Sequence, residues 1–216
     1  VLPGDDVYVD YTVETGYFTH AVNPLVHAAV EGDIVVDAGA IDILPNVRYL
    51  AWSEATRQME DRTCTNYEVV TADTTIFEDG QWYVGRDSVA AADLTVNGTA
   101  HLILCGGATL TADAITGGAL VVYGQPSGSG ELIVSGTVGT ALTCEGGVLS
   151  SGTIAGDSLA VVGGTLSADA VRNGQVTIDG GSVKAKTIDN APKNAAGAPL
   201  HCVTVKVEGL KVERLM

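Results

Sequence analysis

Two carboxylates in the second half of this 216-residue chain have a spacing that could do chemistry. Glu145 and Asp179 each stand directly before a pair of glycines, and a matching position between them holds Val162. A pair of carboxylates about 5–10 Å apart can hydrolyse a glycosidic bond. If each repeat of the sequence is one coil of a stacked structure, the two acids lie roughly 10 Å apart, at the limit of that range. The overall acidity of the chain favours two solvated surface acids over a catalytic pair.

An aromatic residue and an amide accompany these acids. Tyr123 occupies the matching position of the repeat, and Gln125 follows it in an adjoining loop. Aromatic faces stack on sugar rings, while carboxylates and amides bond sugar hydroxyls. The candidate carbohydrate-binding residues are therefore Tyr123, Gln125, Glu145 and Asp179. The alternative is an exposed tyrosine on a flat face. Tyr83 joins the line if the first coil begins at Trp82, whose ring would then point into the core.

The remaining polar residues form no recognisable catalytic or metal-binding motif. The four histidines are scattered without the spacing of a zinc site, and the four cysteines also lack it. No nucleophile-elbow or phosphate-binding sequence is present. Asp113 and Asp169 share another position of the repeat but stand several coils apart. The sequence thus predicts no catalytic residue, no metal site and no cofactor.

The candidate residues are aligned by a repeat of about 17 residues. The stretch VVGGTLSADAVRNGQVTIDGGSVKAKTIDN, residues 161–190, contains two copies, each with its own glycine pair. The apolar residue before the glycines recurs at steps of 18, 22, 17 and 17, at Leu104, Val122, Cys144, Val161 and Ile178. Two residues earlier, a second apolar line holds Leu102, Leu120, Leu142, Leu159 and Val176. Apolar residues that alternate in this way indicate strands.

Three short strands in each repeat indicate one coil of a parallel β-solenoid. We therefore predict an all-β fold whose main part is a right-handed parallel β-helix of about five or six coils, from near Gln81 to Asn190. The glycine pairs should occupy corners that need a positive φ or a close backbone approach. An antiparallel sandwich is the alternative, but it does not explain the recurring inward line. In the longest step, YGQPSGSGEL at residues 123–132 predicts a loop extruded from one coil.

The predicted organisation has three parts. Residues 1–75 lack the repeat and should form a small β domain, in which residues 53–61 favour a turn of helix over a polar loop. Residues 76–190 form the parallel β-helix. Residues 191–216 are either a strand that covers the end of the solenoid or the start of a further module. Because both ends run directly into strand-like sequence, we interpret the chain as a piece of a longer protein.

The composition of the chain is acidic. It has 26 Asp and Glu against 11 Lys and Arg, a formal net charge of −15. This charge argues against nucleic acid or an anionic membrane surface as a partner. No run of 18 or more apolar residues is present, so we expect no membrane insertion by this segment.

Four stretches carry a resemblance to a known class of proteins. They are RTCTNYEVVTADTTIFEDGQWYVGRDSV, LTVNGTAHLILCGGATLTA, GGALVVYGQPSGSGEL and VTIDGGSVKAKT. Over roughly residues 46–205 the chain resembles large surface proteins of Gram-positive gut bacteria, of the carbohydrate-binding-domain-containing type, in which small β modules such as B-repeats flank a glycine-rich β-helix. The resemblance implies an exported, extracellular module displayed on the bacterial cell surface. It also makes the pair Cys64 and Cys105 the first of the three possible disulfide pairings to test, while Cys144 belongs to the inward line.

Three functions are compatible with these observations. The first is a non-catalytic, adhesin-like surface module that binds a polysaccharide or host glycan. The second is a purely structural stalk, which needs only the solenoid. The third is a β-helix polysaccharide lyase or hydrolase, which needs a carboxylate cluster that the sequence does not show.

Overall fold

The computed structural model describes residues 6–9, 12–21, 25–28, 43–128, 130–190, 192–194 and 196–197. Every regular element within these residues is a β-strand, and none of them forms a helix that could span a membrane. The chain divides into two compact units. One comprises Val1–Val47 with Thr63–Asn66, and the other comprises Arg48–Arg62 with Tyr67–Met216.

The first six strands form three small two-stranded sheets. The strands are β1 Asp6–Val9, β2 Tyr17–Phe18, β3 Leu25–Ala28, β4 Leu44–Pro45, β5 Val47–Ser53 and β6 Gln58–Cys64. Strand β1 pairs antiparallel with β3, β2 pairs antiparallel with β4, and β5 pairs with β6. Small sheets thus precede the solenoid, as the sequence predicts.

The turn of helix predicted within residues 53–61 is wrong. Strand β5 ends at Ser53 and β6 begins at Gln58, so the residues between them form the turn of a β-hairpin. Arg57 closes this turn with a φ of 53°, and its N–H donates to the carbonyl oxygen of Ser53 at 2.7 Å. Pairing of the flanking strands outweighs the local capping signal of Ser53. Residues 48–62 are called the hairpin from here on.

The other fourteen strands form a parallel β-solenoid of about seven turns with three faces. Face A contains β7 Glu68–Val69, β9 Trp82–Gly85, the ends of β11 Leu94–Leu104 and β13 Ile115–Gly124, β15 Ala141–Cys144, β17 Ser158–Val161 and β19 Gln175–Ile178. Face B contains β10 Val89–Ala90, β12 Thr109–Ala112 and the starts of β14 Glu131–Val138, β16 Val148–Ile154, β18 Thr165–Val171 and β20 Ser182–Ile188. Face C contains β8 Ile76–Phe77, the starts of β11 and β13, and the ends of the last four face B strands.

The solenoid is longer than the predicted five or six coils. Parallel pairing already begins at Glu68, which pairs with Tyr83, and so precedes Gln81. At the other end, Thr177 forms a parallel bridge with Lys193. Most of the region for which a covering strand was predicted, residues 191–216, lies outside the described residues.

Apolar side chains fill the solenoid in three continuous lines. The face A line holds Leu102, Val122, Cys144, Val161 and Ile178. The face B line holds Leu110, Leu132, Leu149, Leu166 and Val183. The face C line holds Leu94, Ile115, Val138, Ile154, Val171 and Ile188. Stacking of like side chains on successive turns removes apolar surface from water that a single coil would expose.

The register of the first predicted coil is wrong by two residues. Leu102 pairs with Val122, the place assigned to Leu104, and Leu104 pairs with Gly124. Both leucines are fully buried, so the inward direction is confirmed. The steps from Tyr83 to Leu102 and from Leu102 to Val122 are 19 and 20 residues, longer than the 17 of the last coils. Because the early turns are longer, a count back from the glycine pairs assigns Leu104 to the position that Leu102 occupies.

The glycine pairs occupy corners, as predicted. The second glycine of a pair has a positive φ, +74° at Gly164 and +68° at Gly181. The first approaches the previous turn closely: a Cβ on Gly163 would lie 2.4 Å from the carbonyl oxygen of Glu145. Only a residue without a side chain satisfies both conditions.

Candidate functional site

The four candidate residues lie at one side of the solenoid, along or beside face A. Since Val122, Cys144 and Ile178 point inward, the residues that follow them point outward. Tyr123 pairs with Ile103 near the end of the pairing of β13 with β11. The outward line therefore runs through Tyr123, Glu145, Val162 and Asp179 on four successive turns. Gln125 follows in the loop and forms a bridge with Gly128.

The hairpin packs over this outward line, beginning at Tyr123 and Gln125. The ring of Tyr49 packs edge-on against Tyr123, with 5.0 Å between ring centroids. The side-chain amide of Gln125 donates from Nε2 to the carbonyl oxygen of Arg48 at 3.2 Å and accepts the N–H of Gly106 at 2.9 Å. Tyr123 is only 6% exposed. The expectation of an exposed Tyr123 on an open face is therefore wrong, because the hairpin returns over it.

The hairpin also engages both carboxylates. The backbone N–H of Trp52 donates to Oε2 of Glu145 at 2.6 Å. The guanidinium of Arg57 forms an ion pair with Asp179, with 3.3 Å between Nη2 and Oδ2. The Asp179 side chain is 12% exposed, whereas that of Arg57 is 62% exposed. All four candidate residues thus contact the hairpin.

Tyr123 belongs to an aromatic cluster whose other members are Tyr49, Trp82 and His101. Trp82 stacks on His101 with centroids 4.4 Å apart and on Tyr123 at 5.2 Å. Tyr49 packs against Trp82 at 4.9 Å from the hairpin side. His101 Nδ1 and the Tyr123 hydroxyl share a hydrogen bond of 3.0 Å. The sequence analysis missed Tyr49 and His101. The alternation of side chains along β11 could have identified His101, because it points outward like Ile103, the partner of Tyr123.

The assignments of Trp82 and Tyr83 are reversed. Tyr83 belongs to the buried core, stacks on Phe77 at 4.2 Å, and accepts the N–H of Glu78 through its hydroxyl at 2.9 Å. Trp82 points outward into the aromatic cluster. Pairing decides this, since Tyr83 is in register with the inward Leu102 and Trp82 with His101.

Burial sets the protonation states at this site. It raises the pKa of Tyr123, as do the charge of Glu145 and the nearby Tyr49, so the phenol stays protonated. Burial lowers the pKa of His101, which keeps the imidazole neutral at pH 7. Burial also raises the pKa of Glu145, which the Trp52 N–H opposes and the charge of Glu54 reinforces. The site thus presents neutral rings beside carboxylates.

Other polar groups pair locally. Asp113 accepts the hydroxyl of Ser135 at 3.2 Å, and Asp169 forms an ion pair with Lys186 at 2.6 Å. In the part of the chain that the structure describes, no group of three or more His, Cys, Asp or Glu side chains could hold a metal ion.

The cysteines of the described residues are free thiols. Cys64 and Cys144 are buried and Cys105 is half-buried, so the Cys64–Cys105 disulfide is not formed. Burial raises the pKa of Cys144 to about 12, as expected for an inward-facing thiol in an apolar line. Cys202 lies outside the described residues.

Comparison with family models, with curated proteins and with solved structures finds no match to this chain. The resemblance to bacterial surface proteins stays an interpretation of the sequence.

Proposed function

We propose that this chain is a non-catalytic, adhesin-like module of an exported bacterial surface protein, with a polysaccharide or host glycan as its ligand. The observation that carries the proposal is the aromatic cluster beside Glu145 and Asp179 on the outside of a solenoid. A solenoid offers a long, rigid series of turns for display, and ligand sites combine apolar rings with a few polar groups.

The partners of the two carboxylates support a non-catalytic role. Glycoside hydrolysis needs one acid that donates a proton and a second carboxylate that acts as nucleophile or base across the same bond. Here Glu145 and Asp179 stand two turns apart with Val162 between them, and each bonds a different donor of the hairpin. This arrangement suits holding the hairpin, or sugar hydroxyls in its place, better than bond cleavage.

A purely structural stalk is the second candidate. It is favoured by the burial of Tyr123 under the hairpin, since a covered aromatic ring stabilises the fold without any ligand. A polysaccharide lyase or hydrolase is the third, and product formation would reveal it.

Two measurements test the proposal. Brief trypsin treatment of intact source cells should release peptides of this chain, because Arg57, Arg172 and Lys186 have exposed side chains. The purified chain, incubated with a panel of neutral and acidic polysaccharides, should release neither reducing sugars nor unsaturated uronates. Absence of the peptides from the cell surface would contradict surface display, and product release that is lost in Glu145→Gln would establish an enzyme.

A further inference from the structure

We infer that the hairpin is a displaceable cover over a sugar-binding shelf, which consists of Trp82, His101, Tyr123 and Glu145. This inference rests on the proposed function, because it specifies how the glycan site of that module is opened and closed. The ligand class is a neutral pyranose residue at the end or along the side of a polysaccharide.

The hairpin is attached more weakly than the strands beneath it. Its strands β5 and β6 pair with each other and, among the described residues, with no strand of the solenoid. None of residues 48–62 is buried, whereas the solenoid strands under them belong to a continuous core. A two-stranded hairpin is marginally stable alone. Elements with little buried apolar surface open locally at a lower free energy than global unfolding.

Two of the contacts that hold the hairpin are ones that a sugar can replace. The Tyr49 ring lies against Trp82 and Tyr123, where the apolar face of a pyranose ring could stack instead. The Trp52 N–H donates to the carboxylate of Glu145, and a sugar hydroxyl could replace Trp52 as the donor. Stacking and the hydrogen bond to Glu145 would thus be conserved when the hairpin leaves, whereas the carboxylate of Asp179 would exchange Arg57 for water.

The negative charge of the chain favours a neutral sugar as the ligand. The chain carries a formal net charge of −15, Glu145 belongs to the shelf, and Asp179 lies two turns further along the same outward line. Removal of Arg57 with the hairpin leaves Asp179 without that cation. Uronates and sulfated sugars are therefore repelled, whereas neutral hexoses are accepted.

A cover that must open first weakens the apparent affinity by the fraction of molecules that are open. Weakening the cover without touching the shelf should therefore tighten binding. The double variant Tyr49→Ala/Arg57→Ala removes two anchors of the hairpin and leaves every shelf residue in place. Arg62→Ala is the matched control, because Arg62 pairs with Glu60 inside the hairpin.

The test is affinity electrophoresis of the full chain in gels that contain yeast mannan, barley β-glucan, dextran or polygalacturonate. We expect the double variant to bind at least one neutral polymer about tenfold more tightly than wild type. The control should behave as wild type, and polygalacturonate should retard neither. Adding Trp82→Ala to the double variant should abolish retardation. No retardation of the double variant, retention without Trp82, or a preference for the polyuronate overturns the inference, while surface display and the lack of products would still stand.

Hydrogen exchange of the wild-type chain keeps the inference testable if the double variant does not fold. Amides of the hairpin should exchange at least about tenfold faster than those of β13 and β15, because the free energy of opening the hairpin locally should be lower than that of global unfolding. At least one of yeast mannan, barley β-glucan and dextran should raise hairpin exchange further, because the bound polymer occupies the shelf. Hairpin exchange as slow as that of β15, or no increase with any of the three neutral polymers, overturns the displaceable cover.

Discussion

At the scale of the residue, Glu145 combines two opposing effects. The Trp52 N–H stabilises its carboxylate at 2.6 Å, yet burial beneath the hairpin destabilises the charge more strongly, so its pKa is raised. Glu54 on the hairpin adds a repelling charge, and the neutral rings of Tyr123 and Tyr49 lie nearby. A half-buried acceptor is useful at Glu145, whereas its negative charge is unfavourable.

Glu145→Gln should separate these effects. A group whose folded-state pKa is raised stabilises the fold at low pH and loses that contribution as the pH rises through its pKa. Glutamine keeps an acceptor oxygen for Trp52 without the charge, so the variant should melt at a higher temperature than wild type at pH 7. The difference should shrink towards about pH 4, where glutamate is protonated. Melting curves between pH 4 and 8 measure it, and a difference that does not vary with pH would contradict the assignment.

At the scale of the element, each turn of the solenoid depends on a glycine corner and on strand parity. The corner glycine has two separate requirements, a positive φ and a backbone neighbour that leaves no room for a Cβ. Strand parity decides which side chains stack inside: on β17, Val161 is fully buried, and the next residue, Val162, lies in the outward line.

Two alanine substitutions separate the requirements of the corner. Gly164 and Gly80 have similar positive φ values, +74° and +70°. A Cβ on Gly164 would lie 2.5 Å from the carbonyl oxygen of Gly147, whereas one on Gly80 meets nothing within 4 Å. Both variants should lose about 1–2 kcal/mol to backbone strain, and Gly164→Ala should lose clearly more in denaturant titrations. Equal losses would show that stacking distance is not what selects glycine at the corner.

Strand parity is tested by an acid at an inward and at an outward position. Val161→Asp places a carboxylate in the apolar face A line and should destabilise the fold by several kcal/mol. Ser167→Asp places it in register with Lys184 and should change stability little. Val162 is not a suitable control, because an acid there would stand between Glu145 and Asp179. Similar losses of melting temperature in the two variants would contradict the inward assignment.

At the scale of the whole molecule, buried contacts are unevenly distributed within the unit that contains the solenoid. Continuous lines of apolar side chains join its turns, whereas the hairpin is held through the contacts of Tyr49, Arg48, Trp52 and Arg57. Among the described residues of this unit, we therefore expect the hairpin over the candidate ligand site to open more readily than the solenoid strands beneath it, as elements that cover binding sites commonly do.

Limited proteolysis tests this distribution. Arg57, Arg172 and Lys186 have similarly exposed side chains, 62%, 63% and 67%. Cleavage requires local opening of the backbone, so trypsin should cut after Arg57 before it cuts after the other two. Mass spectrometry of the early fragments identifies the order. Earlier cleavage after Arg172 or Lys186 would mean that the solenoid opens before the hairpin does.

The sequence by itself determined the periodic part of this protein. The recurring glycine pairs and the alternation of apolar residues predict a parallel solenoid, the inward side chains and the corners, because these features arise from contacts between equivalent positions of neighbouring turns. The outward line of Tyr123, Glu145 and Asp179 follows from the same periodicity. Near the start of the solenoid the turns are longer, so the register of Leu102 and the directions of Trp82 and Tyr83 did not follow from the period.

Only the tertiary structure decided what covers that line. The hairpin belongs to no repeat, and its polar contacts with Gln125, Glu145 and Asp179 join residues that are 77, 93 and 122 positions apart in the sequence. Its docking depends on the complementarity of Tyr49, Trp52 and Arg57 with one outer face of a folded solenoid. No local pattern encodes such a match, because neither surface exists until the strands have paired.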